Sequence, residues 1–196
     1  MSKGWCEVIT RRLILRPAEE EDALDLLVIF ADRSVMIPNS MSLPLTDGDE
    51  MLSTVRQERL NAQYSEEPPM FVLERQIDGK VIGVIYFNSL WDGYGDIAYF
   101  IAAKYQGSGY MSEAMPVLLD HIFNHWSLSR LTASYAKENK ISARLLQKHG
   151  FCKRKEHMQV LLNDHKVHTI ITCDLQRSEW WKRRRNLDEK GIGTKI

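Results

Sequence analysis

Hydrophobic and polar positions along the first third of the chain predict one strand followed by two helices. Residues 7–16 are rich in β-branched and aliphatic side chains, and Pro17, which cannot donate to a strand ladder, ends the run. Residues 19–32 and 46–64 carry apolar side chains at helical spacing. The predicted apolar stripes are Ala23, Leu26, Leu27 and Phe30 in the first helix and Met51, Leu52, Val55 and Leu60 in the second.

Beyond Pro68-Pro69 the pattern is typical of strands interrupted by two helices. Asp78-Gly79 favours a tight hairpin, and Asn163-Asp164 separates a closing antiparallel pair. The first of the two helices has the most regular apolar spacing in the chain although it contains Pro116, and the second is closed by Gly150. The predicted strands are residues 70–77, 81–90, 96–102, 130–136, 151–162 and 166–175, and the predicted helices are residues 109–126 and 139–149.

The resulting order, β, α, α, β, β, β, α, β, α, β, β, predicts an α+β (layered α/β) domain. It implies a mixed, mostly antiparallel sheet of about seven strands flanked by about four helices. We assign residues 1–175 to this domain and residues 176–196 to a C-terminal tail rich in basic and aromatic side chains. We expect the tail to be mobile or to dock, most often as a helix that packs its tryptophans on the domain.

Composition and charge limit the classes of protein and partner. The 196 residues are 44% hydrophobic with a formal net charge of +0, which is typical of a globular protein and unlike a general binder of nucleic acid or membranes. Three cysteines without a CxxC pair favour neither a disulfide framework nor a zinc site. No signal peptide or membrane-length apolar run is visible, so we expect a cytoplasmic protein without a metal. A homodimer is among the states that the sequence allows, and the basic tail is able to contact RNA or a ribosomal surface.

Two pairs of histidines have spacings that metal sites use. His121 and His125 are four residues apart on the predicted long helix, but Ile122 stands where the zinc-protease motif needs Glu. The helical wheel predicts that both lie on the solvent side. His165 and His168 fall on opposite faces of a strand, so they cannot chelate a metal together.

The most informative junction is a strand that leads into Gln-Gly-Ser-Gly-Tyr (106–110) and directly into the long helix. Glycines allow the backbone to approach a ligand closely, and the unpaired N–H groups and dipole of a helix N-terminus favour an anion. The junction therefore predicts a diphosphate cradle built from main chain. The P-loop string is absent, and the dinucleotide-binding pattern has Ser112 in place of its third glycine. An ordinary strand-to-helix turn is the alternative interpretation.

This string, the long helix, the next strand and residues 138–151 (ENKISARLLQKHGF) together resemble the GNAT N-acetyltransferase superfamily, in particular its ribosomal-protein and antibiotic N-acetyltransferase branch. Members typically open with a strand like TRRLILRP, carry Arg/Gln-x-x-Gly-x-Gly/Ala, and later show Asn-x-x-Ser before Lys-x-Gly-Phe. The likeness extends from about Thr10 to Leu175, and Met111 departs from it because a small residue usually stands there. The resemblance implies the GNAT fold and direct transfer of an acetyl group from acetyl-CoA to a primary amine.

The resemblance also implies a coenzyme groove between residues 96–103 and 130–136, two parallel strands that part from each other. The pantetheine arm would contact the backbone at Ile101 and Ala103, and also Asn139, an asparagine that would cap a helix at the same time. Lys148 would contact the adenosine phosphates, unless it is simply solvated. The diphosphate would be held by Gln106, Gly107, Ser108, Gly109, Tyr110 and Met111.

Ser142, Asp96 and Tyr99 are the candidate catalytic residues. Ser142 matches a family position near the thioester sulfur, where it would protonate the leaving thiolate. Members often carry a glutamate base five residues before the asparagine, and this chain has Ser134 there. Asp96 and Glu113 are substitute bases by proximity in sequence, and Tyr99 and Tyr135 are candidate acids.

The implied acceptor is a protein N-terminus or a small amine, such as an aminoglycoside, a polyamine or an amino-acid analogue. Its pocket would be shaped by the two N-terminal helices and residues 89–95. A different hypothesis follows from the serine at position 134, which removes the usual base. Under it, the protein is a catalytically weak acyl-CoA-binding module whose basic tail recruits a partner.

Overall fold

The computed structural model describes residues 7–36, 44–64, 68–161 and 165–189, and within them a single sheet of eight strands forms the centre of the molecule. The strands are β1 (Val8–Ile9), β2 (Leu13–Pro17), β3 (Phe71–Arg75), β4 (Val81–Trp91), β5 (Tyr94–Ile101), β6 (Arg130–Ala136), β7 (Cys152–Val160) and β8 (Val167–Gln176). Their order across the sheet is β1-β2-β3-β4-β5-β6-β8-β7. Every neighbouring pair is antiparallel except β5 and β6, which are parallel.

Six α-helices cover the two faces of this sheet within the described residues. They are α1 (Ala23–Ala31), α2 (Arg33–Met36), α3 (Gly48–Tyr64), α4 (Tyr110–His125), α5 (Lys140–Lys148) and α6 (Arg177–Glu189). Because successive strand residues point to opposite faces, β5 contributes to two separate cores. Ile97 and Tyr99 pack with the side chains of α4 and α5, whereas Ala98 and Phe100 pack with those of α1, α2 and α3.

The α+β class and the mixed, mostly antiparallel sheet are confirmed, with eight strands instead of about seven. The extra strand arises because the predicted first strand is two strands, β1 and β2, joined by a turn. Thr10 causes the turn: its backbone N–H donates to the Leu13 carbonyl, and its hydroxyl accepts from the Leu13 N–H. The prediction that Leu60 belongs to the buried stripe of its helix is wrong, since its side chain is 46% exposed.

The predicted tail contains a helix that packs on the domain. Residue 176 ends β8, and α6 buries Trp180 to 2% exposure against α4. The Trp180 indole donates to Asp120, and Arg184 forms an ion pair with the other oxygen of that carboxylate at 2.8 Å. The expectation of a tryptophan docked on the domain therefore holds for Trp180. Two other predicted segments, residues 190–196 of the tail and the Asn163-Asp164 turn, lie outside the described residues.

The prediction that His121 faces solvent is wrong. Every residue from 117 to 123 is buried, because α4 packs against the sheet and also against α6. The His121 ring stacks on the exposed His125 ring with 3.9 Å between their centroids. Burial, with a smaller contribution from His125, lowers the pKa of His121 to about 4, so the ring is neutral near pH 7.

Two features of the described residues concern membranes and metal ions. No helix among them combines the length and the apolar character needed to cross a membrane. No cluster of three or more histidine, cysteine, aspartate or glutamate side chains is arranged there to bind a metal ion.

Candidate functional site

The strands β5 and β6 part from each other after three paired positions. Their parallel pairing covers Tyr94↔Arg130, Gly95↔Leu131 and Asp96↔Thr132, although β5 continues to Ile101 and β6 to Ala136. β6 follows β8 over its whole length instead, and β5 stays with β4. The result is a wedge-shaped gap between residues 97–101 and 133–136, where one backbone edge of each strand faces the gap instead of a neighbouring strand.

A cavity of about 410 Å³ opens beside this gap, between the end of β5, the start of α4 and the outer face of α5. Most of the predicted coenzyme residues line it, together with residues that the sequence analysis did not name. The lining residues are Ser34, Tyr99, Phe100, Ile101, Tyr105, Gln106, Gly107, Gly109, Tyr110, Met111, Ser112, Asn139, Ile141, Ser142, Arg144, Leu145 and Lys148. Of the predicted site residues, Asp96, Ala103 and Ser108 do not line this cavity.

The loop between β5 and α4 has the backbone conformation that its glycines predict. Gly107 and Gly109 have φ of +74° and +78°, in the left-handed region that favours glycine. Gly109 is the residue that precedes the first turn of α4, whose initial N–H groups have no partner inside the helix. The Gln106 side chain donates to the Ile101 carbonyl at 3.0 Å and thereby ties the loop to the end of the strand. The N–H groups at the start of α4 are consequently available to an anion in the cavity.

The beginning of α5 supplies the second wall. The Asn139 side chain accepts a hydrogen bond from the Ser142 N–H at 3.0 Å, so the predicted cap is present. Ser142 is buried, and its hydroxyl shares a 2.5 Å hydrogen bond with the Tyr99 hydroxyl. Burial raises the pKa of Tyr99 above its ordinary value and outweighs the opposing effect of this hydrogen bond. Tyr99 is therefore a neutral phenol that is able to donate a proton to Ser142.

Asp96 lies at the point where the two strands part, but on the other face of the sheet from Tyr99. Its carboxylate accepts from the Thr132 hydroxyl at 2.7 Å and from the Asn88 amide at 2.9 Å. The two strand neighbours on that face, Ala98 and Phe100, belong to the core beneath α1, α2 and α3. The structure thus places the candidate base and the Ser142–Tyr99 pair on opposite sides of the gap.

The other candidate acids and bases are engaged in contacts of their own. Glu113 accepts from the Thr10 hydroxyl and from Arg12, both at 2.6 Å. Burial opposes ionisation of Glu113, but these hydrogen bonds prevail and hold its pKa below the ordinary value. Ser134, at the position of the usual family glutamate, shares a 3.0 Å hydrogen bond with Thr172. Burial raises the pKa of Tyr135, with its neighbour Cys173 contributing in the same direction.

The mouth of the cavity carries positive charge from α5. Lys148 donates to the Ser112 hydroxyl, and Arg144 is exposed at the cavity wall one turn earlier. Helical spacing relates Arg144 to Lys148, together with Ile141 and Leu145. Once Lys148 was a candidate, this spacing was the signal in the sequence that could have identified Arg144. Ser34, by contrast, reaches the cavity from α2 and had no local signal.

A long phosphorylated acyl carrier fits these residues. A Cβ placed on Gly107 would meet no atom within 4 Å, so the loop backbone is open toward its surroundings. Main-chain N–H groups and two cations lie toward one end of the cavity, and the gap between β5 and β6 lies toward the other. These are the donors for a diphosphate and the free strand edges for an extended amide chain.

The sequence and the fold are similar to those of known proteins. The family model described as an acetyltransferase (GNAT) domain matches residues 12–152. The uncharacterized N-acetyltransferase p20 of Bacillus licheniformis is 30% identical over 149 residues, which cover 74% of this chain and 81% of that protein. The [ribosomal protein uS5]-alanine N-acetyltransferase of Escherichia coli is 26% identical, covering 87% and 91% of the two chains. A solved structure of RimL, a ribosomal L7/L12 α-N-protein acetyltransferase in complex with coenzyme A, superposes with a TM-score of 0.76 at 19% identity, covering 88% of this chain and 98% of that one.

Proposed function

Because this chain belongs to the GNAT acetyltransferase family, whose members use acetyl-CoA, we propose that it transfers the acetyl group directly to the α-amino group of a protein or peptide N-terminus. The wedge between β5 and β6, continuous with the glycine loop at the start of α4, is the observation that carries the proposal. The relative from Escherichia coli that is named a [ribosomal protein uS5]-alanine N-acetyltransferase supports the choice of acceptor, because it matches over 87% of this chain.

Each wall of the cavity has a role in holding acetyl-CoA, which supplies an activated acetyl thioester. The N–H groups of the loop at 106–111 bind the diphosphate, and Lys148 and Arg144 bind phosphate oxygens by charge. The edge of β5 at Ile101 and the Asn139 side chain hold the pantetheine arm in the gap. Ala103 and Ser108 do not line the cavity, so their part is limited to shaping the loop.

Ser142 and Tyr99 act together as the acid in this proposal. When the carbon–sulfur bond breaks, Ser142 gives the proton of its hydroxyl to the leaving sulfur and receives one from Tyr99 through their shared hydrogen bond. The raised pKa of Tyr99 keeps the phenol protonated at neutral pH, so its hydroxyl remains a hydrogen-bond donor to Ser142. A pair that is already hydrogen-bonded needs no rearrangement before the transfer.

Asp96 is the proposed base, from the opposite side of the gap. In this proposal it accepts a proton from the acceptor ammonium, and the hydrogen bonds from Thr132 and Asn88 that orient its carboxylate at the start of the wedge support this role. The amine would then approach from the side of α1 and α3, while Ser142 meets the sulfur from the side of α5. Positioning supplies much of the acceleration for amines that are neutral at the working pH, for which a base matters less.

The test is an acceptor screen with acetyl-CoA and detection of the released thiol. Peptides with a free N-terminus are compared with the same peptides blocked at the N-terminus, and with aminoglycosides, polyamines and amino-acid analogues. We expect thiol release with free N-termini and a product heavier by one acetyl group at the N-terminal residue. Gly109→Glu, which forces a side chain onto a position of the diphosphate loop with a left-handed φ of +78°, is the inactive control. Activity confined to the small amines would contradict the peptide acceptor, but it would still support acetyltransferase activity.

A catalytically weak acyl-CoA-binding module is the second candidate, favoured by the engagement of Ser134 with Thr172 where relatives often carry a glutamate. Single-turnover measurements decide between the two. Stoichiometric thiol release with any acceptor within seconds to minutes supports the enzyme, whereas tight acetyl-CoA binding without release supports the module.

A further inference from the structure

Arg12, in the turn between β1 and β2, makes contacts with three consecutive parts of the glycine loop and α4. Its Nη1 donates to the Ser108 carbonyl at 3.0 Å, and its guanidinium carbon lies 4.2 Å from the centroid of the Tyr110 ring. Its Nε donates to Glu113 Oε2 at 2.6 Å, and its backbone N–H donates to Glu113 Oε1 at 2.8 Å. Arg12 therefore links the N-terminal hairpin to the diphosphate loop, which lies 96 residues later in the chain.

The contact with Ser108 fixes the direction of a carbonyl that matters for anion binding. Ser108 stands between two glycines in the left-handed conformation, which is the kind of backbone that turns successive N–H groups to one side. A carbonyl that rotated to that same side would place partial negative charge against the diphosphate. Arg12 holds the Ser108 carbonyl by a charged hydrogen bond, which is stronger than a neutral one.

The contact with Glu113 neutralises a carboxylate one turn into α4. Burial opposes ionisation of Glu113, but its hydrogen bonds to Thr10 and Arg12 hold its pKa below the ordinary value, so it carries a negative charge close to the loop that Arg12 compensates. Negative charge there opposes binding of an anion at the same helix end. The side chain of Glu113 is only 18% exposed, so solvent screens this charge poorly.

We propose that Arg12 is a positioning residue for the diphosphate of acetyl-CoA, which it serves by holding the Ser108 carbonyl outward and by compensating the charge of Glu113. This inference rests on the proposed function of the cavity. Arg12 does not line the cavity, and it acts through the loop. The diphosphate end of the ligand should therefore depend on Arg12, and the pantetheine end should not.

Two acetyl donors separate the two ends. Acetyl-CoA contains the diphosphate, and S-acetylpantetheine lacks both it and the adenosine. For Arg12→Ala we expect the Kd of CoA, measured by calorimetry, to rise roughly tenfold or more, the effect of one or two charged hydrogen bonds. We expect kcat/KM for S-acetylpantetheine to stay within about twofold of the wild-type value, the scatter of a surface substitution. A general loosening of the fold would weaken both donors alike, and that result would overturn the proposal.

The double variant Arg12→Ala/Glu113→Gln tests the charge term. Removing the uncompensated carboxylate should recover part of the lost CoA affinity, and no recovery would refute the part assigned to Glu113. Arg11→Ala is the matched control, because it removes the exposed arginine next to Arg12 in the same turn and leaves Arg12 in place. We expect its Kd to stay within about twofold.

Arg12→Lys keeps the charge but lacks the planar fork that reaches Ser108 and Glu113 together. We expect an intermediate Kd, so this variant tests the proposal even if Arg12→Ala does not fold. Wild-type affinity for CoA in folded Arg12→Lys would contradict the inference. Failure of the wild-type chain itself to bind CoA would instead count against the proposed function.

Discussion

Trp180 donates its indole N–H to the Asp120 carboxylate at 2.8 Å, across 60 residues of chain, and both side chains are buried. Arg184 occupies the second oxygen of the same carboxylate. Burial raises the pKa of Asp120, and the two partners oppose this effect. A buried carboxylate with a donor on each oxygen costs little, whereas one left with an unpaired oxygen costs a great deal. Helix α6 is therefore a structural part of the domain.

Two substitutions at Trp180 separate packing from hydrogen bonding. Trp180→Ala should lower the free energy of unfolding by about 3–5 kcal/mol, the usual cost of deleting a buried aromatic side chain. Trp180→Phe retains most of the volume but leaves one Asp120 oxygen without its donor, at a cost of about 1–3 kcal/mol. Urea unfolding followed by fluorescence of the other tryptophans measures both. Lys182→Ala, an exposed change in the same helix, is the control, and equal stability of all three variants would show that α6 is not part of the cooperative unit.

The position of α6 shows which part of the fold the sequence does not specify by itself. Helical periodicity located α4 and α5 and strand alternation located β3 to β8, since these signals are local. The tail was separated because its charges dominate its composition, whereas Asp120, to which it docks, lies 60 positions earlier. The prediction that His121 faces solvent was wrong because a helical wheel assumes one buried face. Helix α4 is buried on more than one face.

The candidate site was predictable to the extent that its residues lie in contiguous motifs. Gly107, Gly109, Asn139 and Ser142 follow from short strings, and the structure brings all four to one cavity. Arg12 and Ser34 could not be predicted from short strings. The turn within the N-terminal hairpin and the short helix α2 bring them to the site only in the folded chain. Strand alternation places Asp96 and Tyr99 on opposite faces of the sheet. The proposed roles of the two side chains depend on the gap between β5 and β6, which begins at Asp96 and is not visible in the sequence.

Stability should fall with acid because of His149 at the end of α5. Burial, with smaller effects of Lys148 and Arg183, lowers the pKa of His149 to about 4, and its buried Nε2 has no hydrogen-bond partner among the described residues. The unfolded chain binds this proton at about pH 6.5 and the folded chain only near pH 4. The stabilisation is thus complete above about pH 6.5 and is lost as the pH falls toward 4, by at most about 1.4 kcal/mol per pH unit for this residue.

His149→Gln removes that titration. Chemical denaturation at several values between pH 7 and pH 4 should show a shallower loss of stability for the variant than for the wild type. His121 contributes in the same direction, because its pKa is also lowered to about 4, so a residual slope is expected. Gln147→Ala, an exposed change in α5 that removes no titratable group, serves as the control and should leave the slope unchanged. Identical slopes for wild type and His149→Gln would show that His149 is protonated in the folded protein.

Removal of the proposed acid should reduce turnover more than affinity. Ser142→Ala removes the hydroxyl that is proposed to protonate the leaving sulfur, and Tyr99→Phe removes its hydrogen-bond partner. We expect kcat to fall roughly 10²-fold or more for Ser142→Ala, the usual contribution of a general acid, with the KM for acetyl-CoA little changed. Tyr99→Phe should have a smaller effect, and the double variant should be no worse than Ser142→Ala, because the two hydroxyls act in one relay. Fully multiplicative losses would show that they act independently.

Asp96→Asn tests the base, because it retains an oxygen for the Thr132 hydroxyl while removing the charge that accepts a proton. At neutral pH a typical amine acceptor is mostly protonated, so loss of the base should lower kcat/KM for the amine by about 10²–10⁴-fold. The deficit should shrink as the pH rises toward the pKa of the acceptor, since the free amine then needs no deprotonation. A purely structural defect would give a deficit that is the same at every pH. Asn88→Ala, which removes only a neighbour of the carboxylate, is the matched control and should keep the pH profile of the wild type. Wild-type activity of Asp96→Asn at neutral pH would exclude Asp96 as the base and leave positioning in the gap as the main source of rate.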